Sequence, residues 1–282
     1  MKFRKFNLDC ENEVHVVGIL NVTPDSFSDG GHFFDNAEKA IDHAMQMAGE
    51  GASIIDIGGE SSRPGSERIS AEEEWRRIGP VLHGVVGRLR IPVSVDTMKA
   101  EIAYRAIAAG ASMINDISAG NFDPEMIPVV AESDAAFVVM HMLGRPESMQ
   151  QNPTYKNVVE EVGDFFAHQL ELLKCHGVSS DRVLLDPGIG FGKSQDDNLK
   201  LLANLKKFQI FSRPILVGAS RKSFISSVLQ SDVHGRLEGS LAAAVASVLQ
   251  GVSMIRAHDV GSTLKAVSMA KAIRLASNRA LE

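Results

Sequence analysis

Three stretches of this chain repeat one pattern: "GASIID" at 51–56, "GASMIN" at 110–115 and "GVSMIR" at 251–256. Each runs glycine, small apolar residue, serine, apolar pair, and then a polar residue that differs: Asp56, Asn115 or Arg256. Glycine tolerates the left-handed backbone that ends a helix, and the apolar pair starts a strand. The pattern therefore reads as one helix-to-strand junction used three times. It predicts three equivalent strands that deliver a polar residue at the same height.

Working outward, further short apolar runs alternate with amphipathic stretches. The strands read "HVVGILN", "SIIDIG", "IPVSVD", "SMIND", "AAFVVMH", "RVLLD", "PILVGAS" and "SMIRAH". Nearly continuous apolar runs suit parallel strands covered on both faces. Ser70 with Glu73 predicts a capping box before one helix, and Ser194 with Asp197 repeats it more weakly. Eight strand–helix units without a linker predict a single-domain (β/α)8 barrel over 1–282, with residues 1–14 as an extension before the first barrel strand. In such barrels the active site lies at the C-terminal strand ends. There stand Asn21, Glu60, Asp96, Asn115, His141, Asp186, Lys222, Arg256 and His258. A doubly wound open sheet is the competing architecture, and it would concentrate function at one switch point.

Composition excludes several classes. At 282 residues with 44% hydrophobic and 23% charged content, the chain can build a large core. A net charge of −6 argues against a broad nucleic-acid footprint but leaves room for a local anion site. The N-terminus carries no signal-peptide pattern, and "SLAAAVASVL" is too short to cross a bilayer, so no membrane partner is expected. Cys10 and Cys175 lack metal-ligand spacing and read as reduced thiols of a cytoplasmic protein.

Long loops follow the first and second strands, "NVTPDSFSDGGHFFD" and "GGESSRPGSERIS". Their length and glycine–serine content suit lids that exclude water. "GASRKSF" at 218–224 opens a helix with Arg221, Lys222 and Ser223, and "IRAHD" adds Arg256 and His258, together an anion site. Asp96, Asn115 and Asp186 suit a heterocycle with adjacent N–H donors, because a carboxylate accepts two parallel N–H bonds. A metal site is disfavoured by the absence of a paired histidine ligand. His141 reads as a packed histidine. "DPGIGFGKS" at 186–194 is near a P-loop but has Pro187 where the first glycine belongs, so it does not wrap a phosphate.

Seven motifs, "GILNVTPDSFSDGG", "IIDIGGESSRPG", "VSVDT", "INDIS", "LLDPGIGFGK", "GASRKS" and "IRAHDV", closely resemble the dihydropteroate synthases of bacterial folate biosynthesis, from residue 15 to about 262. The resemblance implies a homodimeric (β/α)8 barrel. It would join p-aminobenzoate to 6-hydroxymethyl-7,8-dihydropterin diphosphate with Mg2+, releasing diphosphate. By position it implies Asn21 at the Mg2+ site, and Ser62, Arg63, Arg256 and His258 at the diphosphate. Asp96, Asn115, Asp186 and Lys222 would hold the pterin, with Met140 and Phe191 lining its pocket. Phe27, Pro64, Phe191 and Ser223 would shape the p-aminobenzoate site, and Asp29 would arrive on the lid. Asp29, Asp96, Lys222 and Arg256 would then carry the catalysis. One departure is Ser62 where the family usually has threonine. A pterin-binding methyltransferase, or a silent pterin-binding paralogue, would need fewer of the cationic and lid residues present.

Overall fold

Each of the eight runs forms a parallel strand. The computed structural model describes residues 1–23, 37–63, 65–232 and 234–279. A short antiparallel hairpin, β1 (Lys2–Phe3) and β2 (Phe6–Asn7), comes first. The barrel strands are β3 (His15–Asn21), β4 (Ile54–Gly58), β5 (Val93–Asp96), β6 (Met113–Asp116), β7 (Ala136–Met140), β8 (Val183–Asp186), β9 (Leu216–Val217) and β10 (Met254–Ala257). Their order is β8-β7-β6-β5-β4-β3-β10-β9. The free edges, β8 and β9, meet through a bridge between Leu185 and Ile215, where the Leu185 N–H donates to the Pro214 carbonyl at 3.0 Å. This seam closes the sheet and rules out the open doubly wound alternative.

Helices α1 (Ala37–Gly49), α2 (Ala71–Val86), α3 (Ala100–Ala108), α4 (Met126–Ala131), α5 (Val158–Cys175), α6 (Gln195–Ala203), α7 (Ser223–Leu229), α8 (Leu237–Leu249) and α9 (Val260–Arg279) intervene and follow. The three repeats behave alike. Gly51, Gly110 and Gly251 take φ of +102°, +108° and +90°, turning helix into strand. The N–H groups of Ser53, Ser112 and Ser253 each donate to the neighbouring strand, at Val16, Val93 and Ile215. Ile54, Met113 and Met254 then point into the barrel with Val17, Val138, Leu184 and Leu216. Ile55, Ile114 and Ile255 face outward into the helical layer. With side chains alternating along each strand, Asp56, Asn115 and Arg256 return to the interior one layer higher.

Residues 1–14 do more than precede the barrel. Phe3 is fully buried with the interior residues of the strands, so the hairpin stops the N-terminal end of the barrel. Arg4 secures it by donating to the Ile107 and Ala111 carbonyls at 2.8 and 3.2 Å. The two helix caps reverse the expected order of strength. Ser70 accepts from the Glu73 N–H, but the Glu73 carboxylate turns to Arg76 and Arg77 instead of completing the box. Ser194 and Asp197 make the full reciprocal pair.

Phe3→Ala should lower unfolding free energy by about 3–5 kcal/mol, the usual range for an emptied aromatic site. Urea denaturation measures it, and turnover per folded molecule should be unchanged because the plug lies at the opposite end from the site.

Candidate active site

The polar layer above the apolar interior is one connected network. Asp56 is wholly buried, and its Oδ2 accepts from Asn115 Nδ2 at 3.0 Å and from Arg256 Nε at 2.7 Å. Arg256 Nη2 donates to Asp96 Oδ2 at 2.8 Å. One guanidinium thus bridges two carboxylates, the geometry its planar fork favours. Burial pushes Asp96 up to about 7; Arg256 opposes that rise, and Asp56 adds to it. Arg256 is itself raised, because Asp56 and Asp96 outweigh the burial that would lower it. Asp56 Oδ1 has no hydrogen-bond partner among the described residues.

Asp186 ends β8 and starts the loop "DPGIGFGKS". Its Oδ1 accepts from the Gly188 N–H at 2.7 Å. Burial raises its carboxyl to about 6, against the pull of that bond and of Lys222 and Lys193. The loop's glycines let it pass close to the end of β7. A Cβ on Gly188 (φ +67°) would fall 1.9 Å from the His141 carbonyl, and one on Gly192 would fall 2.4 Å from that of Leu143. Phe191 packs with Met98, Met140 and Met149, and Lys222 Nζ stands 3.8 Å over its ring. Burial, with Arg256 adding to it, lowers the Lys222 ammonium to about 8.

A cavity of about 620 Å³ opens above this floor. Of the expected residues, Asn21, Glu60, Ser62, Arg63, Asp96, Arg221, Lys222, Ser223, Arg256 and His258 line it. Asn115, Met140, Asp186 and Phe191 are buried and do not line its wall. Phe27, Asp29 and Pro64 lie outside the described residues. Arg236 also lines the cavity, together with Ser220, Met149 and Gln150.

The cations of this wall are held by their surroundings. Arg221 pairs with Asp259 at 2.6 Å, and Arg236 Nη1 donates to the Arg221 carbonyl at 2.7 Å. Ser220 Oγ accepts from the His258 N–H at 3.3 Å and lies 3.0 Å from its Nδ1. Burial, then Arg221 and Arg256, push His258 down to about 3, so it offers an N–H rather than a charge. Behind the second loop, Lys99 joins the carboxylates of Glu60 and Glu74, while Glu60 Oε1 accepts from the Ile69 N–H at 3.2 Å.

Arg236, Ser220, Met149 and Gln150 were not among the residues singled out in the sequence. Asp56 had a signal, since it occupies the sixth position of the repeat alongside Asn115 and Arg256. Arg236 had none, because it precedes α8 and reaches the site only through the tertiary fold.

Residues 17–258 match the family model described as pterin binding enzyme. The dihydropteroate synthase of Escherichia coli is 44% identical over 258 residues, covering 92% of this chain and 91% of that one. The chain belongs to the dihydropteroate synthase family. Among solved structures of such synthases, that from Yersinia pestis in a sulfonamide drug complex superposes with a TM-score of 0.93 at 41% identity, covering 97% of this chain and 98% of that chain. The dihydropteroate synthase of Xanthomonas albilineans in complex with 7,8-dihydropteroate gives a TM-score of 0.83 at 35% identity, covering 95% of each. The family assignment and the closed barrel agree, since the match runs through all eight barrel strands.

Gly188→Ala should be among the most damaging small substitutions at this site. Its Cβ would meet a backbone carbonyl, and its positive φ disfavours any side chain. Turnover should fall at least roughly tenfold, with a lower Tm, both read on the purified variant.

Proposed function

We infer that this chain condenses p-aminobenzoate with 6-hydroxymethyl-7,8-dihydropterin diphosphate, giving 7,8-dihydropteroate and diphosphate. The observation that carries the reading is one cavity whose cationic wall stands over Asp96 and the buried Asn115 and Asp186 behind it. Asp96, Asn115 and Asp186 suit the N–H-rich edge of a pterin, and Arg63, Lys222 and Arg256 suit a diphosphate. Met140 and Phe191 belong to the apolar cluster that would pack on the ring. Ser62 and His258 would add neutral hydrogen bonds to the leaving group. On this reading Phe27, Pro64, Phe191 and Ser223 face p-aminobenzoate, and Asp29 comes in on the lid. A pterin methyltransferase would need no such cationic wall.

Chemically, the bond from the pterin methylene carbon to the diphosphate oxygen breaks while positive charge spreads into the ring. The residues then act by stabilising two separating charges, usually the largest part of catalysis. Asp96 and Asp186 favour the cationic ring. Arg63, Lys222 and Arg256 favour the departing oxygen. The aromatic amine is neutral near pH 7 and attacks without a strong base.

Mg2+ fits this site as an ion shared with the substrate. Asn21 lines the cavity and offers one neutral oxygen, and among the described residues no three His, Cys, Asp or Glu side chains converge. That donor set suits a hydrated ion that also binds diphosphate oxygens, rather than a cage made by protein alone. When bound, the ion would neutralise charge on the leaving diphosphate, with Asn21 as its protein contact.

A cytoplasmic homodimer completes the proposal. Leu249 on α8, with Met269 and Ile273 on α9, leaves apolar surface exposed that a second copy would cover. The two free cysteines, Cys10 and Cys175, suit a reducing compartment.

The deciding assay is dihydropteroate formation from the two substrates, with and without Mg2+; no product from folded protein would refute the assignment. Arg256→Ala should lower turnover about a hundredfold or more while the circular dichroism spectrum is retained. Asp186→Asn should weaken pterin diphosphate binding about tenfold or more by calorimetry. The same variant should gain stability at high pH. The raised carboxyl of Asp186 favours folding while protonated, and that contribution is lost as pH rises through about 6. Its Tm should therefore exceed the parent's by about 2–5 °C at pH 8, and the gap should narrow below about pH 6 and close towards about pH 4.

A further inference from the structure

The lysine of "GKS" has no part in the chemistry above, yet it is among the most enclosed charged groups in the protein. Lys193 is 2% exposed. It forms no ion pair with a carboxylate among the described residues. Its Nζ instead lies 3.0 Å from His141 Nδ1 and donates to the His141 carbonyl at 3.2 Å and the Phe191 carbonyl at 2.9 Å. An ammonium has three N–H donors, and here each has one acceptor. Two acceptors are carbonyls, so the bond to His141 is satisfied when Nδ1 accepts and the imidazole proton sits on Nε2. Burial and Lys193 hold His141 neutral, down to about 3.

The neighbouring carbonyls of the same loop are tied in the same way. Gln150 Nε2 donates to Gly190 O at 2.8 Å, and Tyr155 Oη donates to Gly192 O at 2.7 Å. Three successive carbonyls, 190 to 192, each accept from a side chain. Two of those side chains come from the segment between β7 and α5, and the third, Lys193, fastens the loop to the end of β7. Burying an ammonium with no carboxylate partner opposes folding; a methionine of similar size would avoid that penalty but leave three buried acceptors without their donor. Burial accordingly lowers the Lys193 ammonium to about 7.

We propose that Lys193 is a positioning residue for the pterin subsite: its three hydrogen bonds, with Tyr155 holding the next carbonyl, lock the loop after β8 to β7. The lock fixes the Asp186 carboxylate and the Phe191 ring against Met140. This inference rests on the pterin reading of the site given above.

The test is steady-state kinetics of Lys193→Met, Lys193→Gln and Tyr155→Phe with both substrates, beside the parent protein. For Lys193→Met the KM for pterin diphosphate should rise tenfold or more. The KM for p-aminobenzoate should rise less, through the Phe191 ring alone, and the circular dichroism spectrum should be retained. Lys193→Gln, which restores two donors without charge, should recover part of the loss. Tyr155→Phe should raise the pterin KM about threefold. Both Lys193 variants with parental pterin KM, or with equal rises for the two substrates, would overturn the proposal. Should the lysine variants fail to fold, an unchanged pterin KM in Tyr155→Phe overturns it. A parent that makes no dihydropteroate refutes the functional reading instead, so the two failures are distinguishable.

Discussion

The site depends on a single buried cation. Arg256 reaches across the barrel from β10 to Asp56 on β4 and Asp96 on β5, and Asn115 on β6 shares the Asp56 oxygen. Without the guanidinium, the two carboxylates would face each other with no cation between them, and burial already favours protonation of Asp96. With it, they form a connected floor in the barrel interior. The bridge uses two of the five N–H donors of Arg256 and leaves the others facing the cavity.

Carboxylates are kept low and cations high by the barrel itself. Strand interiors alternate, so residues two apart stack in layers, and the apolar layer of Ile54, Met113 and Met254 carries the polar layer of Asp56, Asn115 and Arg256. The cations Arg63, Arg221, Lys222 and Arg236 come from loops beyond the strand ends, where water and a charged substrate can reach them. Such a gradient suits a reaction that separates charge. It is less favourable for stability, since Asp96 and Asp186 are both raised by burial. Sites that preorganise charge commonly carry that penalty.

Two segments that look decorative in sequence have structural duties. The hairpin at residues 2–7 packs Phe3 against the barrel interior at the end away from the site. The "DPGIGFGKS" loop uses glycine where a Cβ would meet a carbonyl, and turns its lysine inward rather than towards a phosphate. Its resemblance to a P-loop is therefore one of composition and not of geometry.

The amino-acid sequence alone determined the eight strands, the junction glycines and the height of the polar layer, because local periodicity and left-handed turns depend on neighbours along the chain. It also marked Asp96, Lys222, Arg256 and His258, which end strands or open a helix beside them. Tertiary structure decided what those groups touch. That Arg256 bridges Asp56 and Asp96 across 200 and 160 residues of chain, that Arg236 reaches the cavity wall, and that Lys193 is buried against His141 could not be read locally. Hydrogen bonds between side chains depend on which strands become neighbours and how far each side chain extends, and closure of the barrel sets both.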